Sequence, residues 1–378
     1  MYHVKTMNKI SKIGLAELDE RFEISDTMEH EDAILVRSAK LHDYDFPAEL
    51  KCIARAGAGV NNIPLDRAAD AGIVVFNAPG ANANGVKELT IAALLLASRK
   101  ISQGITWVKE QSAAGADVAA VVEKGKSAYV GPEIMGKTLG VVGLGAIGVL
   151  VANAAAALGM KIVGYDPFLS VTHALNLTPG VEVVDTLPEL YAKADYISLH
   201  LPMNDATRGT LNEAAFAAMK DGVRIVNLAR GELVDTPALK AALDSGKCAA
   251  YVTDFPNSET AAIEGVVAIP HLGASTPESE DNCAMMAARE VKEYLDNGSI
   301  INSVNLPNLT MAWAAKTRVC VISKGADAAA IAGAVPAVAS ASNTRGAYAY
   351  TILDTDAAVD EAAIAAIPGV LRVRVLTR

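Results

Sequence analysis

A glycine-rich turn, placed between a predicted strand and a predicted helix, constrains the fold of this chain more than any other feature. Residues 138–142 form a short apolar run typical of a buried parallel strand, and Gly143-Leu-Gly-Ala-Ile-Gly148 follows it directly. An alanine-rich helix is predicted from about Ala146 to Leu158, and a second strand from Lys161 to Tyr165. The three glycines permit a tight turn, a close approach of backbone to a pyrophosphate, and close packing of helix on strand. This unit predicts a doubly wound α/β domain that binds a dinucleotide.

The residue at the end of the second strand predicts which dinucleotide binds. Asp166 lies 18 residues after Gly148, close to the spacing expected of an acid that hydrogen-bonds a ribose hydroxyl. A carboxylate there would repel the additional phosphate of NADP, and residues 167–170 contain no Arg or Lys to bind that phosphate. We therefore expect NAD as the cofactor. A membrane span over the uncharged residues 138–160 is the alternative, but their glycines and Asn153 argue against it.

The composition argues against several other classes of protein. With 378 residues, 51% of them hydrophobic, the chain can form two or three domains with large cores. A net charge of −10 and a pI near 5.2 argue against a nucleic-acid surface. The N-terminus lacks the apolar segment of a signal peptide. Four scattered cysteines without metal-ligand spacing predict free thiols, no metal site and a cytoplasmic location: Cys52, Cys248, Cys283 and Cys320.

Three predicted strands in the first 85 residues end in polar loops. The strands are predicted at 33–36, 52–54 and 73–76. Ligands of open parallel sheets bind at the carboxyl ends of the strands. The loops carry more polar side chains than turns require, and we expect an anion site formed from Arg37, Ser38, Asn61, Asn62, Asn82 and Asn84. Ordinary turn chemistry is the alternative explanation of these residues.

Strands and helices continue to alternate beyond the glycine-rich turn, and this alternation indicates the domain organisation. A substrate-binding domain is predicted from residues 1–86 and 273–305, and an NAD-binding domain from residues 87–272. A long helix over 277–297 is expected to lead back to the first domain. The last segment, residues 311–378, has a βαββαβ order of its own. The predicted fold class is α/β, with two doubly wound parallel-sheet domains and a small C-terminal βαββαβ domain.

Three side chains at or near the ends of predicted strands are suited to the oxidation of a 2-hydroxy acid. Arg230 can bind a carboxylate through two parallel hydrogen bonds. His271 can accept a hydroxyl proton near neutral pH. Glu259 can orient the imidazole, and Glu264 is the alternative for this role. A nicotinamide ring would supply the remaining hydride chemistry. His200, in a strand-end turn, is predicted to be structural instead.

At these residues the chain resembles the D-2-hydroxyacid dehydrogenase family. The matching motifs are GLGAIG with GYDP, His200-Leu-Pro202, NLARGELVD from Asn227 to Asp235, and PHLGAST from Pro270 to Thr276. The resemblance covers about residues 30–305. It implies that Arg230, Glu259 and His271 are the catalytic residues. It also implies a cofactor-binding set, which comprises Gly143, Gly145, Ala146, Ile147, Gly148, Asp166, Leu201, Pro202, Leu228, Ala229, Asp254 and Gly273.

The resemblance further implies a phosphorylated substrate. The VRSAK loop at Val36–Lys40 and the RAGAGVNNI loop at Arg55–Ile63 are similar to loops of family members that act on 3-phosphoglycerate. By this resemblance the expected reaction is NAD-dependent oxidation to 3-phosphohydroxypyruvate, the first step of serine synthesis, with Arg37 holding the phosphate. The implied substrate-binding set comprises Arg37, Ser38, Ala58, Gly59, Val60, Asn82, Arg230 and His271. The alternatives are another D-2-hydroxy acid as substrate, or a non-enzymatic, NADH-sensing role like that of a corepressor.

The last segment resembles an ACT regulatory domain. Ser323-Lys-Gly-Ala326 stands where serine-binding ACT domains carry a ligand loop of a different type. Effector binding and assembly alone therefore both stay open for this segment. The family resemblance also implies a homo-oligomer, either a dimer or a tetramer.

Overall fold

The computed structural model describes every residue from Met1 to Arg378 and divides into two compact units. The first unit comprises residues 1–82 and 277–378, and the second comprises residues 83–276. The boundaries expected at 86/87 and 272/273 lie within four residues of these divisions, and the C-terminal segment belongs to the first unit. The division into three domains stays a prediction. None of the helices combines the length and the hydropathy that a membrane crossing needs.

Strands and helices alternate through most of the chain. The sixteen strands, β1 to β16 in order, are Tyr2–Met7, Phe22–Ser25, Ala33–Val36, Cys52–Arg55, Val74–Asn77, Thr138–Val142, Lys161–Tyr165, Glu182–Val183, Tyr196–Leu199, Val223–Asn227, Cys248–Thr253, Val266–Ala268, Thr317–Lys324, Ala339–Arg345, Tyr348–Thr355 and Val370–Thr377. The thirteen α-helices, α1 to α13, are Lys12–Leu15, Leu65–Asp70, Ala83–Ser98, Ile101–Ala113, Val118–Gly125, Ala146–Ala157, Val171–Leu175, Leu187–Lys193, Glu213–Ala218, Thr236–Asp244, Pro277–Asn297, Ala328–Ala332 and Glu361–Ala365. Three short 3₁₀ turns lie at Lys126–Tyr129, Gly231–Leu233 and Thr260–Ala262.

The second unit is built on a seven-stranded parallel sheet in the order β12-β11-β10-β9-β6-β7-β8. The strand order reverses at β6, where Val142 lies opposite Tyr165 of β7 and Leu199 of β9. Apolar clusters cover both faces of this sheet. A reversal of this kind is where doubly wound sheets bind ligands, at the carboxyl ends of the strands. The predicted doubly wound fold is confirmed.

The first unit contains a five-stranded parallel sheet in the order β2-β1-β3-β4-β5. β3, β4 and β5 were expected from their apolar runs, and the structure pairs them side by side. β1 and β2 were not predicted, because each buries only one residue, Val4 in β1 and Phe22 in β2. The polar loops after β3 and β4 follow neighbouring strands and lie at the same edge of the sheet.

The C-terminal segment forms a four-stranded antiparallel sheet in the order β14-β15-β13-β16. Its helices α12 and α13 complete the predicted βαββαβ order, which is confirmed. One face of this sheet shares a hydrophobic core with the first unit's parallel sheet and α11. Cys320, Ile322, Tyr350 and Ile352 contribute to that core from the C-terminal side. The segment is therefore packed into the first unit.

Candidate active site and dinucleotide site

The three glycines of the turn after β6 are each required by a different contact. Gly143 has a φ of +94°, a left-handed conformation that side chains rarely adopt. A Cβ at Gly148 would lie 1.9 Å from the carbonyl oxygen of Gly143, so only glycine lets α6 approach the turn this closely. A Cβ at Gly145 would have no atom within 4 Å. The space above Gly145 is therefore open, as close approach of a pyrophosphate to the backbone demands.

Asp166 lies at the carboxyl end of β7 and is fixed against the glycine turn. One carboxylate oxygen accepts a hydrogen bond from Leu144 N at 2.9 Å, and the other accepts one from Phe168 N at 2.8 Å. Each oxygen keeps a second lone pair for a ligand hydroxyl. The geometry fits the predicted contact with a ribose. Ala146 and Ile147 open α6 beside it, with Ala146 exposed and Ile147 partly exposed.

The loop after β9 carries two further predicted cofactor residues. Leu201 packs beside the turn, since a Cβ at Gly143 would lie 3.3 Å from its Cδ2 atom. The carbonyl oxygen of Pro202 accepts a hydrogen bond from Thr207 Oγ1 at 2.6 Å. His200 is partly buried beside Ser198, and its Nε2 lies 2.9 Å from the hydroxyl oxygen. Burial lowers the pKa of His200 to about 4, so the ring is neutral near pH 7, as a structural histidine should be.

A buried asparagine that the sequence did not single out fixes the backbone of Arg230. Asn227 ends β10, and its Oδ1 accepts hydrogen bonds from the backbone N–H groups of Ala229 at 3.1 Å and Arg230 at 3.3 Å. Its Nδ2 donates to the carbonyl of Arg230 and to the hydroxyl of Tyr251. The turn from Leu228 to Arg230 is therefore held by one side chain with no exposed surface.

An aromatic ring brings the two predicted catalytic side chains together. The guanidinium carbon of Arg230 lies 5.2 Å from the centre of the Phe255 ring. The His271 imidazole lies against the same ring, with 4.3 Å between ring centres and 46° between ring planes. Phe255 is partly buried and follows Asp254 directly. This role was not predicted, because a ring contact between residues 16 positions apart leaves no local pattern in the sequence.

Asp254 is a buried carboxylate with one free acceptor. Its Oδ2 accepts a hydrogen bond from the backbone N–H of Gly273 at 3.1 Å, whereas its Oδ1 is buried without a partner. Burial raises the pKa of Asp254, and the Gly273 N–H and the nearby His271 oppose that rise. A buried acceptor without a donor is costly unless a ligand supplies one. The free oxygen fits the carboxamide N–H₂ of a nicotinamide.

The structure does not bring a glutamate to His271. Glu259 is exposed at the start of a 3₁₀ turn, where its backbone N–H donates to Asn257 Oδ1 at 3.0 Å. Glu264 is also exposed. Neither carboxylate forms a hydrogen bond or an ion pair with His271, whose neighbours are Phe255 and Asp254. The pairing of Glu259 or Glu264 with His271 stays a prediction.

The predicted anion-binding residues of the first unit lie at the carboxyl ends of β3, β4 and β5. Arg37 Nη2 lies 2.6 Å from Glu280 Oε1, so the residue expected to bind a phosphate is paired within the chain. Ser38 N donates to Asn8 Oδ1 at 2.9 Å. Ala58 O accepts from Asn77 Nδ2 at 2.6 Å, and Asn82 Oδ1 is buried without a partner. Gly59 and Val60 are partly exposed in the same loop as Ala58.

Arg55 is a charged group at this edge that the predicted binding set omits. It ends β4, and its Nε donates to the carbonyl oxygen of Arg37 at 3.0 Å. A Cβ at Gly57 would lie 2.2 Å from Arg55 Nη1, so the guanidinium lies directly over that glycine. Its place in the RAGAGVNNI motif was visible in the sequence, but only the structure shows that it adjoins Arg37.

Comparisons with known proteins relate this chain to dehydrogenases. Residues 91–273 match the family model described as "D-isomer specific 2-hydroxyacid dehydrogenase, NAD binding domain". The D-3-phosphoglycerate dehydrogenase of Methanocaldococcus jannaschii is 36% identical over 315 residues, which cover 81% of this chain and 58% of that protein. The enzyme of the same name from Mycobacterium bovis is 40% identical over 287 residues, covering 73% and 51%. The matched part of the chain thus spans between half and three fifths of these relatives.

Solved structures show the same fold. The NAD⁺-bound 3-phosphoglycerate dehydrogenase of Entamoeba histolytica is similar over 82% of this chain and 99% of that one, with a TM-score of 0.62 and 26% identity. A glyoxylate reductase from Paecilomyes thermophila covers 80% of this chain and 98% of its own, with a TM-score of 0.66 and 28% identity. The similarity thus extends across both parallel sheets of the chain.

Proposed function

We propose that this chain, which belongs to the D-isomer specific 2-hydroxyacid dehydrogenase family, oxidises D-3-phosphoglycerate to 3-phosphohydroxypyruvate with NAD, the first step of serine synthesis. The observation that carries the proposal is the contact of both Arg230 and His271 with the ring of Phe255. A carboxylate anchor and a proton acceptor then lie against the same aromatic ring, as one site for the oxidation of a 2-hydroxy acid requires.

Each side chain has a defined task in this reaction. Arg230 binds the substrate carboxylate, and the Asn227 side chain holds the backbone of Arg230 in place. His271 accepts the hydroxyl proton on a ring nitrogen as the carbonyl forms. Asp254 presents its free Oδ1 to the cofactor's carboxamide, and Asp166 binds the ribose hydroxyls. NAD, when bound at the glycine turn, supplies the acceptor for the hydride that leaves the 2-carbon.

The proposed specificity for a phosphorylated acid depends on the first unit. Arg37 and Arg55 place two guanidinium groups at the carboxyl edge of the parallel sheet, and we assign the phosphate to Arg37. Ser38, Ala58, Gly59, Val60 and Asn82 complete the proposed substrate set. Glu259 is retained as the residue that orients His271 when substrate is bound. The relatives named phosphoglycerate dehydrogenase favour this substrate over other 2-hydroxy acids.

Further proposals concern the state of the protein in the cell. Four buried free thiols support a cytoplasmic location, where thiols stay reduced. Exposed apolar side chains on α4, Ile101 and Ile105, support a homo-oligomer. The C-terminal segment is proposed to be ACT-like, and its shared core with the parallel sheet favours a role in assembly over one as a separate ligand-binding domain.

A turnover assay with phosphorylated and plain 2-hydroxy acids, each with NAD and with NADP, tests the proposal. NAD reduction is expected with 3-phosphoglycerate, and NADP should be used at least about 100-fold less efficiently because of Asp166. Arg37→Ala should raise KM for 3-phosphoglycerate about tenfold or more and leave KM for glycerate nearly unchanged, since only one substrate carries the phosphate. Equal effects on both would favour another hydroxy acid, and no turnover of any hydroxy or keto acid would favour an NADH sensor.

A further inference from the structure

The side chain proposed to bind the substrate phosphate already holds an anion of its own chain. Arg37 follows β3, and Glu280 lies in the first turn of α11, 243 residues later. Their closest atoms, Nη2 and Oε1, are 2.6 Å apart. The two side chains are 42% and 44% exposed, so solvent and ligands reach both of them. The same unit contains both partners.

The pair lies in a cluster of three charged groups. Arg55 adjoins Arg37 through the hydrogen bond to its carbonyl oxygen. Cys283 lies one turn after Glu280, and burial raises the pKa of its thiol. The positive charges of Arg55 and Arg37 oppose that rise, whereas the negative charge of Glu280 adds to it. All three charged groups therefore lie near one buried thiol.

We propose that Glu280 is a specificity-determining residue, whose carboxylate occupies the guanidinium of Arg37 until a phosphate dianion displaces it. The inference rests on the proposed function, because it assigns the phosphate to Arg37. A half-exposed ion pair is worth at most about 1 kcal/mol, so a ligand can break it. A phosphate oxygen pair binds the guanidinium fork more strongly than a single carboxylate oxygen does. A hydroxy acid without a second anion has nothing to exchange for Glu280.

Glu280 also acts on the bound state. After displacement its carboxylate stays on the same helix turn, close to a dianion of the same sign, and this repulsion weakens phosphate binding. Removing the charge should therefore strengthen binding of phosphate and leave binding of glycerate unchanged. The ordinary alternative is that Glu280 only stabilises the N-terminus of α11, as acids in a first helical turn do. Glu278 shares that turn, is exposed and has no ion-pair partner, which makes it the matched control.

The test is Glu280→Gln in the full chain, with Glu278→Gln beside it. In Glu280→Gln, KM for 3-phosphoglycerate should fall about two- to fivefold, the range that an exposed pair of up to about 1 kcal/mol allows. KM for glycerate should stay the same. The dissociation constant of inorganic phosphate, measured by equilibrium dialysis, should fall by a similar factor. Glu278→Gln should change none of these values.

A double-mutant cycle with Arg37→Ala decides whether the effect acts through the guanidinium. The gain from Glu280→Gln should disappear when Arg37 is absent. The proposal is overturned by unchanged or weaker phosphate binding in Glu280→Gln, by an equal gain in Glu278→Gln, or by a gain that persists without Arg37. If the wild-type chain fails to turn over 3-phosphoglycerate, the proposed function fails, while the dialysis with inorganic phosphate still decides the role of Glu280.

Discussion

Glu290 is the residue of α11 whose burial has the clearest consequence for stability. Its side chain lies on the first unit's core side of the helix and is 6% exposed. Oε1 accepts a hydrogen bond from Asn302 Nδ2 at 2.7 Å, whereas Oε2 is buried without a partner. Burial raises the pKa of Glu290 to about 8, and the Asn302 bond only partly opposes that rise. The folded protein therefore holds a proton on this carboxyl at neutral pH.

The raised pKa predicts the direction in which stability changes with pH. The unfolded chain loses this proton near the ordinary value of 4.5, and the folded chain loses it near 8. The contribution of Glu290 to stability is therefore complete below about pH 4.5 and is lost as the pH rises towards 8. Glu290→Gln removes the titration. We expect the variant to gain stability relative to wild type on the order of 1 kcal/mol per pH unit between pH 5 and 8.

Urea unfolding at several pH values measures this difference. Glu293→Gln, one turn along the same helix, is the control, because Glu293 is partly exposed and accepts a hydrogen bond from Asn297. The control should follow wild type at every pH. A constant difference between Glu290→Gln and wild type across the range would show that the folded carboxyl is not protonated.

Sequence reasoning succeeded best for residues whose role depends on local position. Arg230 and His271 were predicted from strand ends, and the structure brings their side chains to one ring. Phe255 and Asn227 were not predicted as site residues, because their roles depend on contacts that only the folded chain brings about. The same limit applies to Glu280, whose partner lies in a distant loop. The glutamate expected to orient His271 depends on a contact across a loop, and the structure leaves Glu259 exposed.

At the scale of elements, α11 is the helix on which the first unit depends. Its bounds, Pro277 to Asn297, agree with the prediction, because proline favours a first turn and Gly298 ends the helix with a φ of +70°. Arg374 of β16 donates to the carbonyl oxygens of Tyr294 at 2.9 Å and Leu295 at 2.8 Å. Two further donors come from β13 and β15. Arg318 donates a hydrogen bond to the carbonyl oxygen of Asn297, and the Tyr350 hydroxyl donates one to the carbonyl oxygen of Gly298. The C-terminal sheet therefore satisfies the last carbonyl groups of α11.

Arg374→Met tests the importance of this contact. The substitution keeps much of the apolar stem but removes two charge-assisted hydrogen bonds, leaving Tyr294 O only the N–H of Gly298 and Leu295 O only the hydroxyl of Tyr2. We expect the free energy of unfolding to fall by about 2–4 kcal/mol. Arg372→Met is the matched control on the same strand, because Arg372 is partly exposed and its hydrogen bonds to Ala48 O and Ala71 O are longer, at 3.3 Å. Its loss should be about 1 kcal/mol or less. Equal losses in chemical denaturation would contradict the capping role.

The elements that the sequence failed to predict have weak local signals. β1 and β2 bury too few side chains to produce an apolar run, and their pairing was visible only in the folded sheet. α4 and α5 are separated by Gly115, which has a left-handed conformation with a φ of +74°. Strands buried on both faces, such as β3 and β6, were predicted almost to the residue. Hydrophobic patterns therefore predict strands that are fully buried, and they miss strands at the margin of a sheet.

For the whole molecule, the sequence predicted the number and type of sheets but not how their cores are shared. The C-terminal βαββαβ segment was expected as a separate domain, yet its Tyr350 and Ile352 join the cluster that contains Val4 and Tyr294. The ion pair between Arg318 and Asp354, fully buried and bidentate, anchors the segment's own sheet close to that core. Such shared burial leaves no pattern in sequence, because each strand shows only that one face is apolar.

The central claim is that His271 accepts a proton from a 2-hydroxy acid while NAD is bound at the glycine turn. The most direct measurement is the rate of NAD reduction by 3-phosphoglycerate in His271→Asn, with NADH affinity measured in parallel by fluorescence. His173→Asn, a substitution of a histidine in α7 outside the site, serves as the control. We expect kcat to fall by about 10²- to 10⁴-fold in His271→Asn, while NADH affinity stays within about twofold of wild type. A kcat within a few-fold of wild type, with NADH affinity retained, would contradict the assignment.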